Sequence, residues 1–259
     1  MKLDFTQACY LVVAFLCFGT LKSFAVVTAV FQDETNQPGF TTQDYRFTAF
    51  SKDSYPTYEG SYPYTNAWPS PIQADGGGTA ESLNKVSGST DFLALSGYGG
   101  GIYHAGAEAT YAISNSAPLA DANSLIYQIY IAKGVDAAAT NNEYVGLPSL
   151  VLTLSDGSHV TIPSSAGTVL SSNPTVINGN TTSLDDVSFN FNLSSVDEPI
   201  TSYALDTTFA SHSILYGMDV TESTASAAPE PGRMALMFVA FGAVICRRRR
   251  KLPYSATGL

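Results

Sequence analysis

The sequence predicts an all-β protein: a single antiparallel two-sheet β-sandwich, jelly-roll-like, followed by one short C-terminal membrane helix. Between the chain ends apolar residues recur with period two, and helical spacing is scarce. Turn residues separate the apolar runs, as antiparallel connections require. The stretch Val26 to Ala228 spans 203 residues, enough to bury one core without a covalent staple.

Taken in order, Val26 to Phe31 and Tyr45 to Phe50 read as short strands. Residues 51 to 80 interrupt the pattern with Tyr55-Pro56, Tyr62-Pro63-Tyr64, Trp68-Pro69 and Gly76-Gly77-Gly78, a long aromatic loop. Asp91 to Ser96 and Ala109 to Ile113 are further short strands, and the glycines at 97 and 99 to 101 form a turn between them. Leu125 to Ala132 is apolar on both faces and belongs in the centre of a sheet. Leu150 to Leu154 and His159 to Ile162 flank Asp156-Gly157, which predicts a hairpin with a type I′ turn. Val187 to Leu193 alternates without error, Ile200 to Leu205 follows, and Ile214 to Val220 repeats the half-buried alternation. Roughly ten strands without a strong helix make a sandwich, with a barrel as the other closed solution.

The two ends are of another kind. Ala8 to Gly19 is uncharged, of the length of a secretory leader core and too short to span a bilayer unaided. Ser23 and Ala25 supply the small residues that signal peptidase reads before its cut, placed after Ala25. At the other end, Thr221 to Ala228 reads as a flexible linker. Met234 to Cys246 is an uncharged run that covers about 20 Å as a helix, at about 1.5 Å per residue. That is short against a hydrocarbon core of about 30 Å, so the anchor is weak. Arg247, Arg248, Arg249, Arg250 and Lys251 resist translocation, which leaves the preceding domain outside the cell membrane.

Pro229-Glu230-Pro231, the apolar run and the arginine cluster together resemble the PEP-CTERM sorting signal of Gram-negative bacteria. The resemblance covers the C-terminal signal alone. It implies Pro229, Glu230 and Pro231 as the recognition motif and Arg247 to Arg250 as the retention cluster. It further implies an exosortase as processing partner, transient anchoring in the inner membrane, and release or attachment at the surface of an exopolysaccharide-producing, biofilm-forming cell. The expected organisation is a signal peptide at 1–25, an extracellular domain at 26–220, a linker at 221–228, the sorting signal at 229–251 enclosing the helix 234–246, and a cytoplasmic tail at 252–259.

Cys9 and Cys17 lie in the leader and Cys246 in the tail, so the mature domain has no disulfide, no thiolate metal site and no cysteine nucleophile. It carries four cations (Arg46, Lys52, Lys85, Lys133) against twenty acids, a net of −16. Such a surface repels nucleic acid and draws divalent cations. Asp185-Asp186 and Asp197-Glu198 read as solvated turn acids, and Ca²⁺ is the one ion they would suit; no EF-hand or other calcium loop is spelled, and no cofactor is assigned.

His104, His159 and His212 sit in no catalytic motif, and Gly-x-Ser-x-Gly is absent. His104 and Glu108 stand four apart, but the glycines around them argue against the helix that would align them as ligands. His159 reads as a solvent-facing strand residue. Twenty acids nominate no particular glycosidase pair. Tyr62, Tyr64 and Trp68 are the candidate ligand residues, since flat rings stack on the apolar faces of sugars. The expected function is a non-enzymatic protein of the cell surface or extracellular matrix that contacts extracellular polysaccharide; the alternative is a secreted polysaccharide-active hydrolase.

Overall fold

The computed structural model describes residues 29, 31, 41–48, 50, 71–76, 79–88, 91–93, 100–134, 143–177 and 179–224. Among them there are thirteen strands and no helix. They run β1 (Thr42–Phe47), β2 (Ile72–Gln73), β3 (Glu81–Ser87), β4 (Asp91–Leu93), β5 (Ile102–His104), β6 (Ala109–Asn115), β7 (Ser124–Ala132), β8 (Ser149–Leu154), β9 (His159–Pro163), β10 (Thr168–Ile177), β11 (Asn180–Asn192), β12 (Ile200–Phe209) and β13 (Ile214–Ser223). The expected leader, the strand at 26–31 apart from Ala29 and Phe31, most of the aromatic loop, and the chain from residue 225 onward lie outside the described residues.

All pairings are antiparallel and fall into two sheets. One is ordered β10-β11-β7-β13, beyond which the first part of β13 pairs with β5 and the second with β1, and β5 carries β4. The other is ordered β2-β3-β6-β12-β8-β9. Their facing sides share one core in which alternate residues point inward: Leu150, Leu152 and Leu154 on β8, Tyr203, Leu205 and Phe209 on β12, Val187, Phe189 and Phe191 on β11. Aromatic contacts bind the layers: Tyr127 stacks on Phe189 within one sheet, with ring centres 5.8 Å apart, and His104 of the first sheet stacks on Phe209 of the second at 5.3 Å. The arrangement is sandwich-like.

As its composition requires, β7 is central, between β11 and β13. The strand β13 departs from the expected half-buried alternation, because all ten of its residues are buried. One cause is that Ala29 and Phe31 pack on its outer side, over Gly217, with Phe31 edge-on to Tyr130 at 6.4 Å. The strand also takes up residues 221 to 223, which were expected to open the linker. Thr221, Glu222 and Ser223 complete β13 opposite Asp44, Gln43 and Thr42, and Thr224 N donates to Thr41 O at 3.2 Å. Glu222 is held there because Asn115 Nδ2 donates to its Oε1 at 2.8 Å and Leu119 N to its Oε2 at 2.5 Å. A small, polar composition marks a linker only where no partner takes up its backbone and side-chain groups.

The hairpin at Asp156-Gly157 forms, but not with a type I′ turn. Gly157 alone adopts positive φ, at 81°, and its N–H donates to Leu154 O at 3.0 Å. Asp156 keeps ordinary φ because its Oδ1 accepts from Ser158 N at 2.8 Å. This is a type I turn closed by a left-handed glycine. Four strands were not expected: β2, β3, β5 and β10. The last lies at a sheet edge with Val169 and Val176 exposed, and tolerates Pro174 because an edge strand leaves half its N–H groups outside the ladder.

Gly217 supplies a test of the layer over β13. A Cβ there would lie 2.7 Å from the Ala29 Cβ and 2.9 Å from the Phe31 Cζ. Gly217→Val is expected to cost about 1–3 kcal/mol, measured by urea denaturation. Phe31→Ala should relieve part of that cost, and an additive double mutant would show that Phe31 does not occupy this position.

Candidate functional site

Of the residues singled out from the sequence, Ser23, Ala25, Tyr62, Tyr64, Trp68, Pro229, Glu230, Pro231 and Arg247 to Arg250 lie outside the described residues. The histidines are placed. His159 is exposed on β9, and Glu108 is exposed while His104 is fully buried, so the latter two form no ligand pair. His104 Nδ1 lies 2.8 Å from Ser213 Oγ. That hydroxyl donates to Ala210 O at 2.7 Å, so its hydrogen is committed and the imidazole must be the donor. A serine that donates to a backbone carbonyl and accepts from its histidine is the reverse of an activated nucleophile. This pair joins the β12–β13 turn to β5, and His212 in the turn, at φ 62°, meets Tyr103 Oη at 2.8 Å.

Two clusters of acids occupy the first sheet. On its outer side Asp219 of β13 lies opposite Arg46 of β1, with Nε to Oδ1 at 3.5 Å, and Arg46 also holds Asp44 at 3.1 Å. Burial pushes the Asp219 carboxyl well above the ordinary range; a hydrogen bond and repulsion from Asp44 add to this, and Arg46 opposes it.

The second cluster lies on the inner side at one end of the sheet. Asp185 and Asp186 were expected in a turn, but both lie within β11 and are buried, facing opposite sides. Asp185 stands across from Ile131, so Lys133, two residues further on and just past the end of β7, is its diagonal neighbour. Lys133 Nζ is 2.9 Å from Asp185 Oδ2 and 3.1 Å from Glu143 Oε1. Glu143 and Asp185 are also hydrogen-bonded to each other. Ser172 Oγ donates to Asp185 Oδ1 at 2.6 Å, and Ser183 Oγ to Oδ2 at 3.2 Å. Glu143 is brought in by the second sheet: Ala210 N donates to its carbonyl at 3.1 Å, and Tyr144 bridges to Phe209. The ring of Tyr144 meets Phe189 edge-on at 5.1 Å.

The two carboxyls are driven apart in acidity. Burial raises Glu143 to about 7, helped by its hydrogen bond to Asp185 and opposed by Lys133. Burial also works against ionisation of Asp185, but hydrogen bonds from Glu143, Ser172 and Lys133 outweigh it and hold that carboxyl below its ordinary range. Lys133 is raised, chiefly by its hydrogen bond to Asp185. Paired acids of divergent pKa mark sites of proton transfer. Here they touch, whereas glycoside hydrolysis needs carboxyls about 5–9.5 Å apart to admit the sugar or the water. Nothing in the sequence pointed to this trio, since its members are scattered along the chain; Lys133, a rare cation ending an apolar strand, was the available signal.

No protein-family model matches the chain, and no curated protein sequence matches it.

The buried acids give the fold a pH dependence of definite sign. A carboxyl whose pKa is higher in the folded state binds its proton more tightly there, so folding is favoured at acid pH. That advantage is lost as pH rises from the ordinary carboxylate range, about 4, to Glu143's value of about 7 and beyond it for Asp219. The melting temperature should therefore be higher at pH 6 than at pH 8.5. Asp219→Asn should flatten that slope, and an unchanged slope in calorimetry would refute the assignment.

Proposed function

We propose that the chain is an exported, non-enzymatic component of the bacterial cell surface or exopolysaccharide matrix, sorted by a PEP-CTERM-type signal and processed by an exosortase. One observation carries this reading: Pro229-Glu230-Pro231, the uncharged run from Met234 to Cys246 and the block Arg247 to Arg250 follow one another within a single short segment. The charge order fixes orientation, because five adjacent cations hold the tail on the cytoplasmic side. An apolar run too short to sit comfortably in lipid suits a tag that is removed. The acid-rich, cysteine-free domain stays soluble outside the cell and needs no oxidising machinery.

Strands that pass from sheet to sheet, as β6 to β7 and β12 to β13 do, favour a jelly-roll-like sandwich, an architecture suited to a compact extracellular module. Within this reading Tyr62, Tyr64 and Trp68 contact extracellular polysaccharide by ring stacking. The direct contact between Glu143 and Asp185 weighs against the alternative of a polysaccharide hydrolase.

Mass spectrometry of the protein recovered from its own cells tests the sorting claim. The expected mature chain begins at Val26 and ends near Pro229, and replacing Pro229 and Glu230 by alanine should leave it membrane-bound with Leu259 present. Recovery of the wild-type chain from the cytosol with Met1 and Leu259 both in place would overturn the proposal. For the sugar claim, retention of the protein on extracellular polysaccharide should fall at least several-fold in a Tyr62→Ala, Trp68→Ala double variant; equal retention removes those residues from any binding role.

A further inference from the structure

The cluster at Lys133 is built for more than an ion pair. One amine is held against two carboxyls on the inner side of the first sheet. The side chains of Asp185 and Glu143 are 2% and 9% exposed, and that of Lys133, which reaches them from the rim, is 35% exposed. Around them stand Ile131 across from Asp185, Val187 on the same face of β11 and the Phe189–Tyr144 ring pair, together with the hydroxyls of Ser172 and Ser183. We propose that Lys133 and Asp185 condense spontaneously to an intramolecular isopeptide bond, with Glu143 as the catalytic proton relay, stapling β7 to β11.

The chemistry balances within the three side chains. At rest the pair is ionic, with three hydrogens on Lys133 Nζ and none on the Asp185 carboxylate. One proton passes from Nζ to Asp185, giving the neutral amine and acid, a transfer that Glu143 relays because it touches both. The Nζ lone pair then attacks Asp185 Cγ, and the charge developing on Oδ1 is met by the hydroxyl of Ser172, already donating at 2.6 Å. Glu143 accepts a second proton from Nζ and delivers one to Oδ2. The Cγ–Oδ2 bond breaks, one water leaves with two of the three Nζ hydrogens, and the third remains on the amide. Glu143 ends as it began, so neither oxidant nor cofactor is needed.

Three features favour this step over a resting salt bridge. The attacking and accepting groups are already in contact at 2.9 Å, so the entropy of bringing them together is spent in folding. Glu143, its pKa raised by burial to about 7, can both give and take a proton near neutrality. The hydroxyl of Ser172, donating to Asp185 Oδ1 at 2.6 Å, is already in place for the negative charge that develops there during attack. The stretch from Val26 to Ala228 holds no cysteine and so has no disulfide open to it. The bond would lock together the stretch from 133 to 185, which carries β8, β9 and β10.

Intact-mass measurement of the purified full-length chain, denatured and reduced, decides the matter. The wild type is expected to be lighter than its sequence by one water. Proteolysis should release a branched peptide joining the segments that hold Lys133 and Asp185. Lys133→Arg and Glu143→Gln should each restore the full mass and give the two segments as separate linear peptides. Glu143→Gln keeps the shape of the site, and its circular dichroism should match the wild type, which separates lost chemistry from lost folding. A wild-type chain of full mass with both linear peptides overturns the proposal, as does a loss of water that persists in Lys133→Arg.

Discussion

The strand β13 has to be buried on both faces, and most of the structure is arranged around that need. Its inner side contributes Leu215, Met218 and Val220 to the common core, and its outer side is overlaid by Ala29 and Phe31. Nine of its residues pair with β7, while β5 and β1 divide its other edge. A strand paired along both edges and covered on both faces leaves few backbone groups to water, so its ladder is strong and its sequence is constrained. Gly217 meets that constraint by having no side chain where Phe31 lies.

Burial on this scale is awkward for a chain so rich in acids, since an unpaired buried carboxylate is costly. The fold answers in three ways. Asp219 is set against Arg46, Asp185 against Lys133, and Glu222 against an amide side chain and a backbone N–H. Two of the four cations between Val26 and Ala228 are thus committed to buried acids. The cost of burying Glu143 is met differently, by shifting its acidity toward neutrality, and that shift gives the Lys133 cluster its chemical interest.

Strands with an apolar face were legible in the sequence. Leu150 to Leu154 and Ile200 to Phe209 alternate cleanly in burial, and the doubly apolar run of β7 announced a central position. Where pairing rather than burial makes the strand, the pattern is silent: β10 is largely exposed and held by its long hairpin with β11, and β3 hides a buried Glu81 in what reads as a polar stretch. Asp185 and Asp186 misled because acids are depleted in strands, and only the cross-strand register reveals that one of them faces a lysine. The chemically active cluster was illegible for a related reason. Glu143 comes from the connection before β8 and Ser172 from β10, and neither spacing has a periodic signature.

The place of β13 in the order of synthesis has a further effect. Chains are made from the N-terminus onward, so β7, β11 and β1 all exist before the strand that joins them does. Until residue 223 has appeared, the first sheet has a gap at its middle and cannot close over its apolar side. Closure of the first sheet therefore waits for β13, the last of the described strands, while the second sheet, which lacks it, has all its strands earlier.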